Sequence, residues 1–137
     1  MGYTHYWKLS RNFNQTEWDR IRTDVQSIVS YVRKQAFVTL GYVCQKNCFV
    51  LNATFDDGYE DFFIQRKKTN FDFCKTNRNP YDVVCVAVLI YLDTMYANKF
   101  SCSSDGYEKD WELGLKLVQE ALPQYINELR IPDEVIN

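Results

Sequence analysis

The chain has 137 residues, 46% hydrophobic and 16% aromatic, which is enough apolar material for one domain with its own core and argues against disorder. Its 16 basic and 18 acidic side chains leave a net charge of -2, so no overall field draws it to nucleic acid or to an anionic membrane. No stretch approaches the roughly 20 apolar residues of a bilayer span, and the start MGYTHYWKLS lacks the basic-then-apolar layout of a signal peptide, so an intracellular protein without a membrane anchor is expected.

Residues 3–10 alternate Tyr3, His5, Trp7, Leu9 against Thr4, Tyr6, Lys8, Ser10, the period of a strand with aromatic side chains on both faces. A helix is expected next. Thr16 precedes the acidic Glu17 and Asp19, Arg33 and Lys34 stand in the last turn, and Trp18, Ile21, Val25, Ile28, Val29 and Val32 recur at helical spacing. From 37 to 65, short runs rich in β-branched and aromatic residues are separated by QKN and DDG, which predicts hairpin-connected strands. The basic run Arg66, Lys67, Lys68 reads as a solvated edge or loop.

Asn79 followed by Pro80 is a helix-start signal, and the segment to Ala97 is apolar nearly all round from Val83 to Leu92. It predicts a helix over 80–97 enclosed by the rest of the domain. A third helix is expected with Asp105 as its cap and Glu108 three residues on; Trp111, Leu115, Val118 and Leu122 form its stripe, with Gly114 beside them permitting close packing. Pro123 and Pro132 bracket a last, peripheral helical segment. The fold class read from this order is α+β: residues 1–137 form a single domain in which a mainly antiparallel sheet packs against three α-helices, the middle one buried.

Five cysteines, at 44, 48, 74, 85 and 102, form no paired framework and read as free thiols. Cys44 and Cys48 would hold zinc only if Cys74 and Cys102 converged on them, and neither metal nor cofactor is expected.

Three strings, GYTHYW at the start, FCKTNRNPYD in the middle and SSDGYEKDW late, resemble an uncharacterised family of small proteins of phages, bacteria and large DNA viruses; Tyr59, Glu60 and Phe62 match a further element of that pattern. The resemblance follows motif order over most of the chain. It implies a viral or phage protein in the cytoplasm of the infected or producing cell, and it assigns no catalytic residue.

The polar residues of these strings are the candidate ligand site: His5, Glu60, Lys75, Thr76, Asp82, Ser103, Ser104 and Asp105. If the helices starting near 80 and 105 turn their N-termini to one spot, their amides, Lys75 and the hydroxyls would attract a phosphate. The competing reading is capping, since Asp82, Asp105 and Glu108 already compensate those helix ends. His5 with Asp82 or Asp105 has the makings of an acid or base, and Cys74 beside Lys75 those of a nucleophile.

The aromatic residues, ten Tyr, nine Phe and three Trp, exceed what a core of this size must bury, which places some at the surface. The favoured function is therefore a non-enzymatic interaction module acting on a host or viral component, through a protein partner or as a homodimer. The alternative is a nucleotide or phosphate-ligand binder or small enzyme using the His/Lys/Asp pocket. Nucleic-acid binding through Arg66 to Lys68 is the weaker one.

Overall fold

The computed structural model describes residues 2–136. Its elements are β1 (Thr4–Leu9), α1 (Gln15–Gln35), β2 (Leu40–Cys44), β3 (Cys48–Ala53), β4 (Phe62–Gln65), β5 (Thr69–Lys75), α2 (Asp82–Met95), β6 (Phe100–Ser104) and α3 (Glu108–Ala121). The class is α+β, with three α-helices among the described residues. None of them is long and apolar enough to cross a membrane.

The strands divide into two antiparallel three-stranded sheets, ordered β5-β1-β6 and β2-β3-β4, where a single sheet was expected. The break falls at the basic run. The chain entering α1 wedges in there: Phe13 donates its N–H to the Arg66 carbonyl (3.0 Å), and Asn12 Oδ1 accepts the Lys68 N–H (2.7 Å). Arg66 is used up in that junction, bonding the Phe13 carbonyl and the Gln15 side chain, each at 2.8 Å.

The apolar stripe of α1 is fully buried from Trp18 to Val32. Its cap lies two residues ahead of the expected Thr16: the side chain of Asn14 and that of Glu17 each accept the other's backbone N–H at 2.8 Å. Ala36 closes the helix in the left-handed conformation, φ 56°. Buried Asp24 on the same helix accepts the hydroxyls of Tyr91 and Tyr125, tying α1 to α2 and to the C-terminal segment.

Helix α2 is enclosed along its length, from Val84 to Leu92. It starts at Asp82 and not at Pro80: residues 79–82 make a turn, and the Asn79 side-chain amide is oriented by donating to the Gly58 carbonyl (2.8 Å). Gly114 of α3 sits against α2 so closely that a Cβ there would stand 2.3 Å from Val86 Cγ1. Asp105 does not cap α3; the helix starts at Glu108, and the Tyr107 N–H is taken by Asp110 Oδ2 (2.9 Å). The last segment has one short 3-10 turn, Pro123–Tyr125, and is not peripheral: Leu129, Ile131 and Val135 are buried in the core.

Candidate functional site

The three strings singled out in the sequence meet at one end of the β5-β1-β6 sheet. His5 is on the inner face of β1, the middle strand, with Cys74 and Ser104 as its register partners on β5 and β6. Its imidazole is fully buried, with the rings of Tyr3 and Trp111 set edge-on at 5.0 and 5.3 Å. Nε2 lies 2.7 Å from Asp82 Oδ1, and Nδ1 lies 2.8 Å from Ser104 Oγ. Asp82 Oδ1 also accepts the Thr76 hydroxyl. Because the Asp82 carboxylate can only accept, the imidazole proton on Nε2 faces it, and Ser104 Oγ, which accepts the Gly106 N–H (2.9 Å), turns its own proton to Nδ1.

This chain of bonds has the atom types of an acid, base and nucleophile relay, yet every member is satisfied inside the protein. The imidazole has no solvent-facing edge on which a substrate could be protonated. What the network does is join three chain junctions: the strand bearing His5, the entry to α2 and the exit of β6.

The other candidate residues lie elsewhere. The Lys75 N–H is bonded by Glu60 Oε1 (2.7 Å), while its Nζ lies 5.5 Å from the Tyr59 ring. Ser103 pairs with Tyr6 across the strands and so belongs to the opposite sheet face from His5. Asp105 accepts the Thr4 N–H (3.1 Å) and the Tyr6 hydroxyl (2.9 Å), which commits its carboxylate to the outer side as well. Thus His5, Thr76, Asp82 and Ser104 come together, and Glu60, Lys75, Ser103 and Asp105 do not join them.

Over the buried network lies a cleft of about 580 Å³ lined by Gly2, Tyr3, Asn77, Arg78 and Asp105. Arg78 spans it, stacked 3.9 Å from the Tyr3 ring centroid and bonded to Asp110 at 3.1 Å. It follows Asn77 in a left-handed pair, φ 56° and 59°. The Tyr3 hydroxyl and the Trp111 indole nitrogen are buried beside His5 without hydrogen-bond partners. Burial, with Asp82 nearby, pushes the Tyr3 hydroxyl up to about 12.

The buried cysteines offer no nucleophile. Burial pushes the Cys74 thiol up to about 12 and holds Cys85 and Cys102 well above their ordinary range, which removes the thiolate a nucleophile needs. Cys44 and Cys48 lie at the β2-β3 hairpin, and no group of three or more His, Cys, Asp and Glu among the described residues could hold a metal.

Sequence reasoning missed the outer face of the same sheet as a site. Here Tyr6 of β1 pairs with Phe73 of β5, and Phe71 lies beside them. The Tyr6 and Phe71 rings are 6.0 Å apart and stacked, and Phe71 and Phe73 follow at 6.0 Å. Phe71 is 63% exposed and Phe73 51%, which large apolar rings on a sheet seldom are without a use. A shallow cleft of about 190 Å³ beside them is lined by Lys8, Asn70, Ser101, Ser103 and Glu134, among others. The signal was available in TNFDFCK, where Cys74 faces inward and the period of two turns Phe71 and Phe73 outward.

Compared with known proteins, the chain matches no family model, no curated protein and no solved structure.

Proposed function

We propose that the protein is a non-enzymatic binding module whose working surface is the outer face of the β5-β1-β6 sheet. The observation that carries this reading is the run of contacting rings Tyr6, Phe71 and Phe73 held in solvent on a sheet whose other face is fully packed. A chain with so many aromatic residues inside its core has no structural need of three more outside it. The buried His5 network serves this surface by fixing β1 between its neighbours. In the viral or phage setting that the sequence resemblance implies, the bound component is a host or viral macromolecule.

The face is tested by placing the photo-crosslinker p-benzoylphenylalanine at Phe71 or Phe73 and, as a control, at Leu113, which is exposed on α3. Irradiation in extracts of producing cells should give adducts from the two sheet positions and none from the control. Equal labelling at all three, or none at any, removes the reading.

A second reading has one observation behind it. The unpartnered hydroxyl of Tyr3, a residue lining the cleft with Arg78, would suit a small polar ligand. A thermal-shift screen over nucleotides and divalent metals decides it, since ligand at 100 times its dissociation constant stabilises by about 2.7 kcal/mol. A flat response ends that alternative.

A further inference from the structure

Resting on the reading of the outer sheet face as the working surface, we infer that its partner is a single-stranded nucleic acid, with bases stacked on Tyr6, Phe71 and Phe73 and phosphates held by the lysines around them. Stacking platforms of this kind need aromatic faces open to solvent, polar groups between them and cations alongside. All three are present. The rings form a continuous row. Asn70, Ser101 and Ser103 supply hydrogen-bonding groups in the adjoining cleft, and Lys8 lines it too.

The cations gather because of the wedge that splits the two sheets. Bonding of Lys68 to Asn12, and pairing of Thr69 with Leu9, bring Lys67, Lys68 and Arg11 to the end of the sheet that carries Lys8. None of Lys8, Lys67 and Lys68 is in an ion pair among the described residues. Lys75 stands on the same face beyond Phe73. A chain with an overall charge of -2 thus gathers four lysines and Arg11 around the rings, while Glu134 shares the cleft with Lys8 and Asp105 holds the Tyr6 hydroxyl. Binding driven by this local field is strongly salt-dependent.

A second copy of the chain suits the face less well. Stable dimers bury about 800 Å² per partner, and the three rings, already half covered, supply only part of that, so a copy would have to cover the charged margin around them as well. A face-to-face copy would also bring like charges together. The β5 edge offers no substitute, because its outward N–H groups at Phe73 and Lys75 are taken by the carboxylates of Asp72 and Glu60.

The test is fluorescence anisotropy at about 50 mM salt with labelled oligo-dT, oligo-U and a DNA duplex as probes. Single strands should bind, and the duplex, whose bases are already stacked, should bind at least several-fold more weakly. Preference between oligo-dT and oligo-U tells DNA from RNA. Phe71→Ala or Phe73→Ala should weaken single-strand binding about tenfold or more, Phe71→Tyr should retain it, and Leu113→Ala should have no effect. Lys8→Glu should flatten the salt dependence. Absence of single-strand binding, insensitivity to both phenylalanine variants, or equal binding of duplex would overturn the assignment. Crosslinks from position 71 to a protein or to a second copy would overturn it as well, while leaving the face itself as the binding surface.

Discussion

Nε2 of His5 lies 2.7 Å from Oδ1 of Asp82, joining two residues 77 positions apart inside a ring of aromatic side chains. The same oxygen receives the Thr76 hydroxyl, so this carboxylate satisfies two groups that water does not reach. Asp82→Ala strands both, and a loss of about 2 to 4 kcal/mol in urea unfolding is expected. Asp82→Asn keeps an acceptor and should lose less. An unchanged midpoint in the alanine variant would mean that the network is not structural.

The contact between α2 and α3 turns on a missing side chain. With Val86 Cγ1 only 2.3 Å from where a Cβ would stand, Gly114→Ala should destabilise by about 1 to 3 kcal/mol despite the better helix propensity of alanine. Adding Val86→Ala should recover part of the loss, read as a coupling term in a double-mutant cycle. Simple additivity would place the strain elsewhere.

Acid should loosen the start of α3. The Tyr107 N–H above all, with the Arg78 guanidinium adding to it, holds the Asp110 carboxyl below its ordinary value of 3.8 although burial pushes the other way. A depressed folded value means that the ionised group contributes its stability above pH 3.8 and loses it as pH falls through the folded value. Asp110→Asn should therefore be less stable than the parent at neutral pH, by about 1 kcal/mol, and the gap should close in acid. A gap that persists at low pH would contradict this assignment.

Thiol reactivity should divide the cysteines by position. Cys44 is exposed and Cys48 partly so, whereas Cys74, Cys85 and Cys102 are buried with their thiols held protonated. Iodoacetamide on the native protein should add label at Cys44 and Cys48 alone, seen by mass spectrometry, and at all five in denaturant. Early native labelling of Cys74 would show that the sheet opens locally.

The carboxylates along the edge of β5 should act as guards against strand addition. Glu60→Ala together with Asp72→Ala frees the N–H groups of Lys75 and Phe73, and concentration-dependent association in light scattering is expected from the double variant. A variant that stays monomeric at every concentration where the parent does would show that the edge is protected by other means.

Much of the fold was legible because helical period survives local ambiguity. The stripe of α1 fits only a helix, and the apolar run of α2, though its valines favour β structure, is too long for one strand. Helix starts were misread where the expected capping residue has a tertiary engagement: Asn79 reaches Gly58, and Asp105 reaches Thr4 and Tyr6. Two sheets instead of one followed from the Arg66 junction with Phe13, a contact over 53 residues that no short-range pattern encodes. At the candidate site, His5, Thr76, Asp82 and Ser104 were each identifiable by type, but their enclosure depends on the Tyr3 and Trp111 rings closing over them. The excess of aromatic residues pointed to surface rings, and only the pairing of β1 with β5 decides which.

The placement of β1 between β5 and β6 also bears on synthesis. Strand β1 precedes both of its flanks in the chain, and its bond from His5 to Ser104 spans 99 residues. As the polypeptide leaves the ribosome, Trp7 and Leu9 must wait, uncovered, until β5 and then β6 have emerged. Closure over so many residues slows folding relative to a chain whose neighbouring strands are consecutive.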